Sequence, residues 1–581
     1  MTRAPQMMDV GVGAQPIHTT VTTTPEVQRA LDSLRPLLPP VGARSSQPFH
    51  GRPYEYHGPQ DPHREAMERT TDDLEGLQID ETGRLDAESA FGRITAAWIT
   101  GLVEAAILQS APERALTEPT GDQTLLVHCP PAPVARVRLS ALALGPLIDA
   151  VDADARRFAF DPDQRFFRAS ALMATGLNGR SVHREASKHI AEDVGDLIRL
   201  ESETVRDTAA QRRQEALARE CSRRRRYARA FALAARRLTV DARVDITTLY
   251  RAFDAVAGLD KAPFRRGPSE HLTPELLAQM GTEFYRALAD PTYQVTFLLL
   301  SFPIKNSSGL RTNVATEAAD AGELLMLAQL RRLLEFLTAL GLPNVRFVCL
   351  TDGIVYSRYL GPYDRLQAIY YRQNVRHFRD ALGLAGRIVI VDADPLLRRI
   401  PMFEHLLHHA HTVLGCAERE YATVQRKLLS LTRSFLFHIH TQDADPALLA
   451  RIVNASLQGQ PMSESNETAE QRRVWAKAAA DARWYAAHLI VMAALGGVGR
   501  LLRGSFIRAT VHPKPGQYAP APVNARDFND LPYHRKPLLR AGANALNLDT
   551  YIGATLWADP HRRFIDVYLG TNRAPFLGIQ L

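Results

Sequence analysis

Four apolar runs in the second half of the chain each lead into ionisable residues of the types that move protons or hold anions. Residues 294–302 (QVTFLLLSF) deliver Lys305, 345–350 (VRFVCL) deliver Asp352, 387–391 (RIVIV) deliver Asp392 and Asp394, and 505–511 (SFIRATV) deliver His512 and Lys514. Aspartate and histidine can serve as base and acid near neutrality, and lysine offers a compact charge to a phosphate or carboxylate. Lysine is scarce in this chain. Of 70 basic residues only seven are lysine, at 188, 261, 305, 427, 477, 514 and 536. A compositional bias toward arginine accounts for most of that, but a lysine persists where guanidinium cannot substitute, as a point charge or as an amine able to lose its proton. Each residue also has an ordinary use. Asp394 before Pro395 reads as a helix cap or turn, Asp352-Gly353 is a common turn dipeptide, and an isolated lysine suits any surface. Their joint placement after apolar runs gives them weight.

The runs alternate with helical patterns over 319–340 and 363–382, and strand, helix, strand, helix, strand is the signature of a parallel sheet. The spacing predicts an α/β fold, a Rossmann-like doubly wound, mainly parallel sheet in a C-terminal domain of residues 241–581. In such sheets ligands bind beyond the carboxyl ends of the strands, where these residues fall. Upstream, residues 61–240 read as a mostly helical N-terminal domain of unassigned role, with a buried helix over 90–108, a mixed patch with strands over 125–144, and a proline-free helical stretch over 187–238. Residues 1–60, with the threonine-rich run 19–24 and Pro39-Pro40, read as a disordered tail. The stretch Ser222-Arg223-Arg224-Arg225-Arg226-Tyr227 is a dense basic cluster. It suits RNA or an acidic protein, yet the acidic residues interleaved upstream favour a solvated helix face.

Composition bounds the rest. The chain has 581 residues, 45% hydrophobic and 23% charged, in the range of folded globular proteins. The net charge of +7 suits anionic small substrates. Cys129, Cys221, Cys349 and Cys416 are far apart with no C-x-x-C pair, which predicts neither a disulfide framework nor a cysteine zinc site and fits a cytoplasmic location. No apolar run is long enough for a membrane span. Gly496-Gly497-Val498-Gly499 lacks the third glycine of a dinucleotide loop, and no Walker or G-x-S-x-G pattern occurs. His405, His408, His409 and His411 fall at helical spacings, and His438 and His440 at strand spacing, but neither set has the acidic partner of a metal signature; packing or a phosphate contact is the expectation.

Several segments in order resemble one family. Phe302-Pro303-Ile304-Lys305-Asn306-Ser307-Ser308, Asp320-Ala321-Gly322-Glu323-Leu324-Leu325-Met326-Leu327, Leu350-Thr351-Asp352-Gly353-Ile354-Val355-Tyr356-Ser357, Ile507-Arg508-Ala509-Thr510-Val511-His512-Pro513 and Leu531-Pro532-Tyr533-His534 resemble successive signatures of the isocyanide (isonitrile) synthase family, also called the pyoverdine/dityrosine biosynthesis family. Arg311 stands where that family usually has a second lysine, Ala319 where it has proline, and Tyr533 where it has tryptophan.

The resemblance implies a natural-product enzyme, a lyase or transferase without cofactor or metal. The amine of an amino acid, commonly tyrosine or tryptophan, condenses with the ketone of ribulose 5-phosphate, whose C2 becomes the isonitrile carbon. It implies Lys305, Arg311, Arg508, Lys514 and Tyr356 as substrate-binding residues and Asp352, Glu323, His512 and His534 as proton-transfer residues. A downstream tailoring oxygenase is the implied partner, with no membrane and no nucleic acid. An N-formylating sibling reaction leaves the same sequence signal, and a noncatalytic binding protein acting through the Arg-rich helix remains a third reading.

Overall fold

The computed structural model describes residues 87–100, 134–139, 272–302, 319–357, 365–436, 445–457, 468–497, 501–510, 516–520, 537–541, 546–553, 563–569 and 575–581, with a few isolated positions besides. In chain order the elements are α1 (Ala87–Thr100), β1 (Ala135–Leu139), α2 (Pro274–Ala289), β2 (Val295–Leu300), α3 (Ala321–Ala339), β3 (Val345–Thr351), α4 (Gly353–Tyr356), α5 (Arg365–Ala381), β4 (Ile388–Asp392) and α6 (Ala393–Leu397). Then follow α7 (Phe403–Glu420), α8 (Ala422–Leu436), α9 (Pro446–Leu457), α10 (Ala469–Leu495), β5 (Phe506–Thr510), β6 (Pro537–Ala541), β7 (Leu546–Gly553), β8 (Phe564–Leu569) and β9 (Pro575–Gln580).

The anticipated parallel sheet is present, in the order β4-β3-β2-β5, and every pairing in it is parallel. Its strands are near-continuous apolar runs because both faces are covered. Phe297, Leu299, Phe347, Cys349, Ile388, Ile390, Ile507 and Ala509 point to one face, where α2, α3 and α5 pack. Leu298, Val348, Leu350 and Val391 point to the other, beneath α1, α6, α7, α8, α9 and α10. Helices on both faces make the sheet doubly wound. Phe297 anchors the first core, stacked on Phe347 at 4.9 Å and tilted against Tyr518 at 5.5 Å.

Local chemistry sets the helix ends. Asp320 and Glu323 form a reciprocal capping box on α3, Thr468 and Gln471 do the same on α10, and Thr273 precedes Pro274 at the start of α2. Helix α10 stops at Gly496, in the left-handed conformation with φ 75°. The free edge of β4 is covered by arginines on one face of α5: Arg376 donates to the Ile390 carbonyl at 3.1 Å and Arg379 to the Ile388 carbonyl at 3.4 Å. Carbonyls that would invite another strand are thereby occupied.

A second, mixed sheet has the order β1-β8-β9-β6-β7. Ile565, Val567, Leu577 and Ile579 carry it onto the α3–α5 side, where Phe576 meets Phe378 edge-on at 5.9 Å. Its outer strand β1 comes from the patch expected to hold strands upstream of residue 241, and it pairs in parallel with β8 over residues 135–139. From the same upstream part, α1 buries Ala90 and Ile94 in the core under α7 and α10. Both segments cross the expected boundary at 241. The remainder of 61–240, including the Arg-rich stretch 222–227, and the tail 1–60 lie outside the described residues, apart from single positions. No helix among the described residues is long and apolar enough to cross a membrane.

Candidate active site

The carboxyl ends of the four strands reach the same level. Leu300 is level with Leu350 on one side and Thr510 on the other, and Thr351 is level with Asp392. The chain runs outward from β2 to β3 to β4 and then returns to the far side of β2 with β5. The topological switch point therefore lies between β2 and β5, where open α/β sheets bind ligands. The segment leaving β2 leads toward Lys305 and Arg311, and the segment leaving β5 toward His512 and Lys514. These four residues, with His534, lie outside the described residues.

Asp352 follows β3 directly. It has φ −113° and ψ 10°, near the sparsely populated bridge region where active-site residues recur, and its carboxylate makes no cap hydrogen bond to α4. The ordinary reading of Asp-Gly as a capping turn thus lacks its bond. Tyr356 ends α4. At the end of β2, Phe302 is fully buried and left-handed with φ 52°, a conformation costing a bulky side chain roughly 1–3 kcal/mol. Backbone strain therefore sits at the entrance to the Lys305 segment.

Glu323 is wholly buried. One carboxylate oxygen accepts the Asp320 N–H at 2.7 Å and the other accepts the Tyr371 hydroxyl at 3.1 Å. These bonds hold the first turn of α3 and tie it to α5. Asp392 is likewise held. Its Oδ2 accepts from Arg372 Nη1 at 2.6 Å, and its Oδ1 accepts the Asp394 N–H at 2.8 Å as the cap of α6. Burial pushes the Asp392 carboxyl above its ordinary range, against the pull of the Arg372 guanidinium and the Asp394 N–H. Asp394 accepts from Arg398 at 2.9 Å one helical turn on, while the cap of α6, the use expected of Asp394, falls to Asp392.

Arg508 is exposed on the α10 side of β5, and its Nη2 lies 3.4 Å from where a Cβ on Gly497 would sit. The last turn of α10 holds a second cation: Arg93 of α1 donates to the Ala494 carbonyl at 2.7 Å. Two guanidinium groups at one helix C-terminus complement its dipole. Cys349 cannot act as a nucleophile at neutral pH, because burial in β3 pushes its thiol up to about 12.

Three of the α7 histidines have side-chain partners, and His405 is exposed. His411 stacks on Trp484 at 4.0 Å, His408 meets the same ring edge-on at 5.1 Å, and His409 shares a 2.7 Å hydrogen bond with Thr95 of α1. No group of three or more potential metal ligands occurs among the described residues. His438 and His440 lie outside them.

Sequence reasoning did not find Arg372 or the strain at Phe302. Arg372, Arg376 and Arg379 recur at helical spacing on α5, a row of charges on one face that carried the signal. The Phe302 strain is readable only from the backbone, although Phe302-Pro303 marks a residue whose conformation its neighbour restricts.

Residues 286–443, which span β2 to α8, match the sequence profile of the pyoverdine/dityrosine biosynthesis protein family. The family resemblance holds over that stretch. Asp320, Glu323, Asp352 and Lys305 fall within it; Arg508, His512 and His534 do not. Among solved structures, the PvcA protein from Pseudomonas aeruginosa aligns at 13% identity over 57% of this chain and 99% of that chain, with a TM-score of 0.35. No curated protein matches the chain.

Proposed function

We propose that the protein is an isonitrile synthase-like enzyme of natural-product biosynthesis, joining the amine of an amino acid to the C2 carbon of ribulose 5-phosphate. One observation carries the reading: the profile of a biosynthetic family covers the strands β2 to β4, and in the sequence ionisable residues follow the ends of these strands. Two anionic substrates must be brought together there. Lys305 and Lys514 follow the ends of β2 and β5 by five and four residues in the sequence. With Arg311 and Arg508 they hold phosphate and carboxylate, and Tyr356 is the further substrate-binding residue of this reading.

Imine formation and fragmentation require repeated proton transfers, which a base and an acid of matched pKa accelerate. Asp352 serves as the base and His512 as the acid, with His534 as the further proton carrier. Because β2 separates β3 from β5, the ends carrying Asp352 and His512 stand two strand spacings apart, roughly 10 Å. A substrate lying across the end of β2 fits between them, so each transfers protons to the substrate and neither to the other. Glu323 belongs to the support of the site. The test is incubation of the full-length protein with ribulose 5-phosphate and each of the twenty amino acids, with an isonitrile sought by mass and by its infrared stretch. Formation of an N-formyl product would name the sibling reaction, and no product with any amino acid would remove the proposal.

A further inference from the structure

An interior strand of a doubly wound sheet should be covered on both faces along its length. Strand β2 keeps to that rule until its last residue. Val295, Phe297 and Leu299 are fully buried and Leu298 nearly so, yet Leu300 is 45% exposed. Among the described residues of the four parallel strands it is the one large apolar side chain exposed to this degree. The opening is local. Leu350, level with Leu300 on β3, is 1% exposed in the same core as Val355 of α4. On the other side of β2, Arg508 is exposed on the same face of β5, two residues below the level of Leu300, while Thr510, level with Leu300, is buried. The two exposed side chains, one apolar and one a guanidinium, thus stand diagonally across the β2–β5 switch point, with Leu298 and Thr510 buried beside them.

Building on the isonitrile synthase reading, we infer that Leu300 and Arg508 form the subsite for the amino-acid substrate. Arg508 takes the α-carboxylate and Leu300 lies under an apolar side chain. The register supports this division. Leu298 is level with Arg508, so Leu300 lies diagonally across one strand spacing and two residues of rise, roughly 8 Å between Cα atoms. That is about the span from a carboxylate to the middle of a large side chain. Arg508 is also pre-positioned. Its Nη2 lies beside Gly497, just past the end of α10, where with φ +89° there is no Cβ to displace it. The orienting helix end supplies partial negative charge while leaving the rest of the guanidinium open. A planar cation held this way suits bidentate recognition of a carboxylate. A bare sugar phosphate would have no use for an exposed leucine beside it, so the apolar floor favours the amino acid as occupant.

The test is calorimetric titration of the full-length protein with L-tyrosine, L-tyrosinamide and glycine, with and without ribitol 5-phosphate, which lacks the reactive ketone. The intact protein should prefer L-tyrosine over both other probes. Arg508→Gln should weaken L-tyrosine by roughly 10- to 150-fold, the range of a lost charge-assisted contact, and abolish its preference over the amide. Leu300→Ala should weaken L-tyrosine about 10-fold with glycine unchanged, and Leu300→Met should restore most of the loss. Both side chains are exposed, so circular dichroism should show each variant folded. Unchanged tyrosine affinity in the Arg508 and Leu300 variants, or no binding of any probe to the intact protein, overturns the subsite. The two readings fail separately. Isonitrile formation with unaltered amino-acid preference in the variants would sink the subsite alone. Arg508-dependent tyrosine binding with no isonitrile or formyl product would sink the activity and leave the subsite standing.

Discussion

Asp352 is the residue on which the proposed chemistry turns, and its geometry separates two explanations of one side chain. A turn-forming aspartate earns its place by a cap hydrogen bond, and Asp352 makes none to α4. Asp352→Asn keeps the shape and removes the base, so isonitrile formation should drop about 100-fold or more while the melting temperature stays put. A lower melting temperature with activity per folded molecule preserved would return Asp352 to the turn. His488 gives a prediction of another kind. Burial between α10 and Phe403 pushes its imidazole down to about 4, from 6.5. Between those values the unfolded chain binds a proton that the folded chain refuses. Stability is therefore complete above pH 6.5 and falls as pH drops toward 4, by about 3 kcal/mol over the window. Urea unfolding at pH 7.5 and pH 5 should show about 2 kcal/mol of that fall, and His488→Leu should remove its share.

At the scale of elements, the first turn of α3 decides what Glu323 is for. A capping box works with glutamate or glutamine, because either can accept the N-cap N–H. Glu323→Gln should therefore leave both activity and stability within about twofold and 0.5 kcal/mol, whereas Glu323→Ala should cost about 1–3 kcal/mol in urea unfolding by stranding the Asp320 N–H and the Tyr371 hydroxyl in the core. A large activity loss in the glutamine variant with stability intact would make Glu323 a proton carrier after all. The same turn shows what the sequence disclosed. Strands β2 to β5 and helices α3 and α5 were legible because two-sided burial writes unbroken apolar runs, and their ends came within about two residues of the structure. Asp320-x-x-Glu323 was legible as a pattern, but a cap and a catalytic acid share the same letters; only the bond to Tyr371, 48 residues away, separates them. The second sheet was missed although Ile565, Val567 and Leu569 alternate inward along β8, since so short a period-two signal has little weight without a partner strand. Leu300 was hidden for the opposite reason: inside an apolar run nothing marks the one position left uncovered.

For the molecule as a whole, the start of strand and helix alternation near residue 241 differs from the start of the packed body. Helix α1 buries Ala90 and Ile94 against α7 and α10, and Arg93 caps the α10 terminus on which Arg508 rests. Strand β1 covers β8 along five paired residues. A chain beginning at 241 loses all of this. Burial of an isoleucine is worth roughly 1.5–3 kcal/mol and a hydrogen bond to a charged donor about 1.5–3 kcal/mol, so the deficit should reach several kcal/mol even after discount for the part-exposed Arg93. It also leaves β8 as a bare edge, a template for pairing with another chain. The truncated protein should accordingly melt lower than the full chain, associate in a concentration-dependent manner by light scattering, and bind L-tyrosine more weakly through the loosened α10 terminus. Arg93→Gln in the full chain isolates the last effect, since it removes the cap while keeping β1 in place; its tyrosine affinity should fall with little association. Equal melting temperatures for the two chain lengths, with equal tyrosine affinity, would show that α1 and β1 merely rest on a body complete without them.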